Sequence, residues 1–290
     1  MSLQDRLHCS ECQSRLEPAS SGDLQCTGCG RSVALADGIA DFVGEAAPPP
    51  SDPHRYGPHP SVGEPPIGDL PARIRMAAGG RWPPYLGDVL ELGCGIGQMT
   101  EALVSTDAMR SLLAVDTAMQ NVRACRERLG CRELPLSFAT LSGSQNAIRD
   151  VVADTVSGVD VLARTGDVRG LLAMVYRVLK PGGRAWFVVP NRRYHQALCQ
   201  AIAGALVQAH ARDRVWPAEI HAAVGLLAWT RLLQLHQGDP GFLSTFDRKR
   251  LFDSEVLEEL CCEAGFACAE MIPLAPDSFA AETARLLWAA

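Results

Sequence analysis

An α/β fold, a doubly wound parallel sheet preceded by a small metal-stabilised module, is what this 290-residue sequence predicts. Three observations predict it. Beyond residue 88, short apolar runs alternate with longer amphipathic ones, the pattern of strands joined by crossover helices. The first of those runs, Val89-Leu90-Glu91-Leu92, feeds straight into Gly93, Gly95 and Gly97 and then into a helical segment. Near the N-terminus, Cys9 and Cys12 are matched by Cys26 and Cys29, each pair enclosing two residues.

The N-terminal module spans residues 1–44. Thirteen residues separate its two cysteine pairs, so two tight turns can present four sulfurs to one tetrahedral ion, at ~2.3 Å each for zinc. Leu7, Leu16, Leu24 and Val33 are the few apolar side chains available for burial, and a metal has to stand in for the missing core. Structural zinc on Cys9, Cys12, Cys26 and Cys29 is therefore expected, since four thiolates leave no open position for catalysis. A linker or strap follows at 45–69, dense in proline and including Pro48-Pro49-Pro50 and Pro65-Pro66, which resists helix and sheet alike.

The main domain, 70–290, carries candidate strands at 88–92, 111–115, 136–140, 159–163 and 184–190. Candidate helices lie between them at 97–105, 118–129, 144–153 and 167–179. An Ala- and Leu-rich stretch at 192–238 suggests two helices hinged near Trp216-Pro217. A helix at 254–264, a strand from Phe266 through Ile272 and a closing strand at 284–288 complete the domain.

The chemistry concentrates on the loop at 93–97. Glycine lets a main chain turn sharply and lie against a ligand, and the helix that follows offers unpaired N–H groups. A dinucleotide fingerprint reads G-x-G-x-x-G, whereas this loop reads Gly93-x-Gly95-x-Gly97 with Glu91 just ahead. The difference favours S-adenosylmethionine over NAD. Asp116 ends the second strand 19 residues after Gly97, placed to accept two ribose hydroxyls. In this architecture ligands bind beyond the carboxyl ends of the strands, where Asp116 and Thr117, Thr140 and Leu141, and Ala163 and Arg164 emerge.

With the later run Leu179-Lys180-Pro181-Gly182-Gly183 in this order, the sequence resembles the class I S-adenosylmethionine-dependent methyltransferases. The resemblance implies a Rossmann-like, seven-stranded sheet with an antiparallel closing strand. It implies a cofactor site at Glu91, Gly93, Cys94, Gly95, Gly97 and Asp116, with Tyr56 of the strap near the sulfonium. Many members carry an acid at the exit of the third strand for the adenine amino group. This chain reads Phe138-Ala139-Thr140-Leu141-Ser142 there, so Thr140, Ser142 or the main chain takes that place. The insertion at 192–238 corresponds to a helical lid over the acceptor in members with small substrates. Tyr194 and His195, nearest the strand tip, are the first candidates for proton removal, ahead of His210, His221 and His236. The phrase Leu35-Ala36-Asp37-Gly38-Ile39-Ala40-Asp41-Phe42 resembles the end of Trm112-like zinc ribbons, which also occur fused to methyltransferase domains.

Composition narrows the partners. With 47% hydrophobic and 21% charged residues the chain is of ordinary globular make-up. A net charge of −6 argues against a broad phosphate-tracking surface, with Arg192-Arg193 and Arg248-Lys249-Arg250 as local exceptions. The module itself holds three arginines against six acids. No apolar run approaches the ~18–20 residues a membrane span needs, and no leader pattern opens the chain, so a cytoplasmic protein is expected. Its eleven cysteines are expected as thiols or metal ligands rather than disulfides. Trp82-Pro83-Pro84-Tyr85 precedes the first strand and reads as a turn, so amino-purine methylation of DNA is not supported. The expected activity is methyl transfer to a small molecule such as a secondary metabolite. Two rivals stand beside it: an RNA methyltransferase with an N-terminal zinc module, and a degenerate methyltransferase fold acting as an interaction partner. The acceptor atom and the oligomeric state are not encoded in these residues.

Overall fold

The computed structural model describes residues 2–44, 84–106, 108–130, 133–142, 146–190, 254–273 and 282–289. The N-terminal part consists of helix α1 (Leu3–Arg6) and four short strands, β1 (Leu16–Pro18), β2 (Leu24–Cys26), β3 (Ser32–Ala36) and β4 (Ile39–Asp41). Its small core is Leu7, Leu16, Leu24 and Val33, each at most 2% exposed. These are the apolar residues that the sequence offers for burial.

Seven further strands follow: β5 (Gly87–Leu92), β6 (Met109–Asp116), β7 (Leu136–Thr140), β8 (Ala153–Val159), β9 (Leu179–Pro190), β10 (Phe266–Pro273) and β11 (Glu282–Ala289). They lie in the order β7-β6-β5-β8-β9-β11-β10. The five from β7 to β9 are parallel, whereas β11 runs antiparallel to both β9 and β10. The seven-stranded sheet with an antiparallel closing strand is thus as expected.

Both faces are covered, so β5 is buried at every position, as a strand inside a parallel sheet has to be. On one face α2 (Gln98–Val104) and α3 (Met119–Leu129) contribute Met99, Leu103, Val122 and Leu129 to the core. After the short α4 (Val161–Arg164), the opposite face carries α5 (Val168–Val178) and α6 (Ser254–Glu263), with Leu171, Leu172, Val175, Leu257 and Leu260. The α5 stripe Val168, Leu171, Leu172, Val175, Val178 has helical spacing. Its start is set by Asp167, whose carboxylate accepts the Gly170 N–H at 2.8 Å.

Three expectations are corrected. The fourth strand is not 159–163: it runs over Ala153–Val159, and Asp160, in the left-handed region at φ 60°, turns the chain into α4. Polar residues disguise the true strand, since Thr155 and Ser157 are buried in it. The helix at 144–153 is absent over the described residues 146–152. That stretch pairs with the N-terminal segment instead: His8 N–H donates to Ala147 O at 2.9 Å, Arg149 N–H donates to Arg6 O at 2.8 Å, and Leu7 bridges Ile148. Backbone groups committed to a neighbouring strand cannot close helical turns. The fifth strand begins at Leu179 rather than 184. Ala153 faces Leu179 and Thr155 faces Arg184, so residues 180–183 loop out of the ladder.

The N-terminal part does not stand apart as a bead on a strap. Strand β4 pairs parallel with β7, Ile39 opposite Phe138, Ala40 opposite Ala139 and Asp41 opposite Thr140. One sheet of 11 strands results. Arg6, 2% exposed, reaches across beneath the sheet, donating to Val89 O at 3.3 Å and to the Ser111 hydroxyl, with Asp88 at 3.7 Å. The strap at 45–69 and the insertion at 192–238 lie outside the described residues.

Candidate functional site

The loop after β5 has three glycines in left-handed conformations, Gly93, Gly95 and Gly97, at φ 68°, 53° and 86°. Two different constraints act on them. A Cβ on Gly97 would stand 2.8 Å from the Cys125 Cα, so absence of a side chain lets α2 pack against α3. A Cβ on Gly95 would meet nothing within 4 Å; only its backbone angle requires glycine there, and the space beside it is open.

Asp116, at the tip of β6, is tied to that loop. One carboxylate oxygen accepts the Gly95 N–H at 2.9 Å, while the other accepts the Ala118 N–H and the Asn121 side-chain amide, each at 3.0 Å. A carboxylate has about four acceptor positions, so these three donors leave room for a ligand hydroxyl. Register extends the arrangement sideways. Leu92 opposes Val115, which brings Gly93 level with Asp116; Asp116 opposes Thr140, and Thr140 opposes Asp41. Side chains alternate across a sheet, and Ala114, Phe138 and Ile39, two residues before each of these last three, all belong to the core under α2 and α3. The row Asp116, Thr140, Asp41 therefore lies on the α2/α3 face, at the carboxyl edge of the strands.

Glu91 occupies the same face one layer down. It is 2% exposed, and among the described residues one of its carboxyl oxygens has no partner. Burial, then the nearby Cys125 thiol, push its pKa up to about 8; the Thr100 hydroxyl works against them and the charge of Asp116 with them. At neutral pH it is a neutral acid. Cys125 Sγ donates to the Thr100 hydroxyl at 3.4 Å, which links the acid to α2 and α3. The Cys94 thiol, beside that of Cys125 and itself buried, is likewise pushed up and stays protonated.

The glycine turn and the carboxylate converge beside the strand-order reversal between β5 and β8, the place where open parallel sheets bind ligands. Residues 90–187 match the family model described as "Methyltransferase domain". Residues 90–187 are thus a methyltransferase domain. Among curated relatives, the ubiquinone biosynthesis O-methyltransferase of Methylococcus capsulatus is 32% identical over 119 residues, 40% of this chain and 48% of that protein. The ribosomal RNA large subunit methyltransferase G of Magnetococcus marinus is 32% identical over 149 residues, 47% of this chain and 39% of that one. This chain thus spans about half or less of the length of these curated relatives. A solved chain from the complex between the Haloferax volcanii Trm112 methyltransferase activator and a methyltransferase superposes with a TM-score of 0.50 at 16% identity, covering 77% of this chain and 92% of that one. That likeness concerns the fold.

Within the methyltransferase domain, Glu91, Gly93, Cys94, Gly95, Gly97, Asp116, Thr140 and Leu141 come together, Leu141 N–H donating to Asp116 O at 2.9 Å. Thr117 follows Asp116 and is exposed. Ala163 and Arg164 do not form the tip of β8 as the sequence suggests: both lie in α4, Ala163 buried and Arg164 within 3.7 Å of the Asp160 carboxylate. Tyr56, Tyr194 and His195 lie outside the described residues, as do His210, His221 and His236. Asn121 and Asp41 are the residues at this edge that sequence reasoning missed. Asn121 stands five residues past Asp116, a spacing that could have flagged it; Asp41 depends on a long-range register that no local pattern carries.

The second cluster is in the N-terminal part. The sulfurs of Cys9, Cys12, Cys26 and Cys29 all lie within 4.8 Å of one another, with Cys9 to Cys29 at 3.6 Å and Cys12 to Cys26 at 3.3 Å. Tetrahedral zinc with bonds of ~2.3 Å spaces its sulfurs by ~3.8 Å, so the cage has the right size. The Ser14 hydroxyl and N–H, then the Cys26 thiol, bring the Cys12 thiol down to about 6. Among the described residues, no helix is long and apolar enough to cross a membrane.

Proposed function

We propose that this chain binds S-adenosylmethionine along the row from Gly93 to Asp116 and transfers its methyl group to a small-molecule acceptor. The observation that carries the reading is the 2.9 Å bond from the Gly95 N–H to the Asp116 carboxylate, which joins loop and acid into one edge. Bound there, the cofactor supplies a methyl on a sulfonium, displaced in line with loss of positive charge. The protein's contribution is placement. Asp116 offers its remaining acceptor position to a ribose hydroxyl, and the bare backbone at Gly93 and Gly95 allows close approach. Ala163, Arg164, Thr117 and Tyr56 are assigned to the periphery of the same site. Tyr194 and His195, just past β9, are assigned the acceptor's proton, and 192–238 the lid above it.

We assign zinc to Cys9, Cys12, Cys26 and Cys29 in a structural role, within a ribbon at 1–44 joined by the strap at 45–69 to the domain at 70–290. Sulfur spacing supports zinc there, and four thiolates would leave it no site for a substrate.

The charge of −6 and a relative named for ubiquinone biosynthesis support a small acceptor. A relative named for ribosomal RNA at equal identity supports the second reading, an RNA substrate. Calorimetry on zinc-loaded protein tests the first step: S-adenosylmethionine should bind, and Asp116→Ala should weaken that binding at least tenfold. No heat of binding to the wild type would leave the fold as an interaction module. Labelled methyl transfer into a metabolite extract but not into ribosomal RNA is the expected outcome, and the reverse would move the assignment to RNA.

A further inference from the structure

Asp41 is the carboxylate that the N-terminal part brings to the edge of the strands. It ends β4, in register with Thr140 and, through it, with Asp116. All three lie on the α2/α3 face at the carboxyl edge. Among the described residues, every hydrogen bond to the Asp41 carboxylate goes to one oxygen: Oδ1 accepts the Val43 N–H at 3.1 Å, the Gly44 N–H at 2.9 Å and the Thr140 hydroxyl. Among the described residues, no hydrogen bond or ion pair reaches Oδ2. Because Thr140 spends its proton on Asp41, what remains on the Thr140 hydroxyl oxygen is acceptor capacity alone.

Thr140 is 1% exposed and holds Asp41 in place, so the half-buried Asp41 carboxylate presents an acceptor edge without donors. The direction of a bound nucleoside follows from strand order, since the sulfonium end belongs over the glycine loop of β5 and the ribose over Asp116 of β6. The base can then only continue across β7 toward β4. Two strand spacings, ~10 Å, separate Asp116 from Asp41, a span suited to a ribose with a purine attached. An acceptor-only edge at the end of that span selects a base whose far edge donates protons, which is what an exocyclic amine does.

We infer that Asp41, contributed by the N-terminal ribbon, is a cofactor-binding residue and that, held by the Thr140 hydroxyl, it receives the exocyclic amine of the cofactor's base. The inference rests on the S-adenosylmethionine reading given above and adds a residue from outside the matched methyltransferase segment. It gives the ribbon a direct part in the site: β4 completes the base pocket.

The test is a matched titration of S-adenosylhomocysteine and its 6-oxo counterpart, S-inosylhomocysteine, into zinc-loaded wild-type protein and Asp41→Asn. The substitution keeps an oxygen for the Val43 and Gly44 amides but can place a donor where the amine must donate. Wild type should prefer the amino ligand at least tenfold. Asp41→Asn should lose at least tenfold for that ligand and hold or gain affinity for the 6-oxo form, reversing the preference, with zinc content unchanged. Unaltered preference, whether affinity is kept or both ligands weaken together, would overturn the inference, because a loosened fold weakens both alike. Should Asp41→Asn fail to fold, Asp41→Ser, which retains a short oxygen for the same amides, is read by the same preference. If the wild type binds neither nucleoside, the cofactor reading itself falls; a wild type that binds both equally removes Asp41 alone.

Discussion

Replacing Glu91 by glutamine should make the fold more stable at neutral pH, although it deletes a charged residue type from the middle of a strand. In the fold Glu91 holds its proton up to about pH 8, against 4.5 for the free side chain. A raised carboxyl value means that the stability it permits is complete below 4.5 and is lost as pH rises through 8, because the unfolded chain ionises first and gains solvation that the buried site denies. Each pH unit in that window costs ~1.4 kcal/mol. Between about pH 5 and about pH 7.5 the wild type should therefore lose ~3 kcal/mol relative to Glu91→Gln. Urea unfolding of both proteins, followed by tryptophan fluorescence at several pH values, gives the difference. Taking the difference cancels every other titrating group, and any constant offset from the new amide leaves the slope untouched. Parallel stability curves across the window would refute the reasoning, since they would mean that Glu91 reaches water or a partner that the buried, unpartnered oxygen excludes.

Gly95→Val should lower S-adenosylmethionine affinity at least tenfold in calorimetry, because a β-branched residue at φ 53° costs ~1–2 kcal/mol or more and rebuilds the loop; Asp116→Ala should act similarly through lost acceptors. Cys9→Ser combined with Cys26→Ser should abolish bound zinc in elemental analysis and lower the unfolding midpoint, since the ribbon's few apolar residues cannot hold it alone. Asp88 should dominate acid sensitivity. Burial pushes its carboxyl up, but donation from Arg110 at 2.7 Å and Lys180 at 2.9 Å, with Ser111, outweighs this and holds it well below the ordinary range. Its stabilisation is present above the unfolded value of 3.8 and disappears as pH falls toward the folded one, so the stability gap between wild type and Asp88→Asn should be widest near neutrality and close below about pH 4.

What the sequence makes legible is local. Three glycines at alternate positions announce a turn that only glycine can make, and Asp116 follows at the distance of one βα unit, so the loop and the acid are readable without a structure. Paired cysteines are readable for the same reason. The errors arise where distant chain overrides local preference. Residues 146–152 are drawn out of helix by pairing with residues 6–8, a partner more than a hundred positions away. The apolar run Val159, Val161, Leu162 and Ala163 imitates a strand, yet Asp160 breaks it in the left-handed region while the true β8 hides buried Thr155 and Ser157. The Lys180-Pro181-Gly182-Gly183 run, useful as a resemblance, lies at the opposite end of the strands from the site, where Lys180 pairs with Asp88 and Asp154, each at 2.9 Å.

The sheet itself joins the N-terminal part to the edge where Asp116 lies. Without β4, strand β7 would be an open parallel edge whose unpaired N–H and C=O groups invite foreign strands. With β4 in place the edge passes outward through β3 and β2 to β1, a three-residue strand ending in Pro18, which is a poor template for further pairing. The same pairing fixes Thr140, whose hydroxyl is held by Asp41 and whose carbonyl accepts the Phe42 N–H at 3.2 Å. Thr140 in turn neighbours Asp116 in register. Order in the N-terminal part and order along the row that ends at Asp116 thus share one set of hydrogen bonds between β4 and β7.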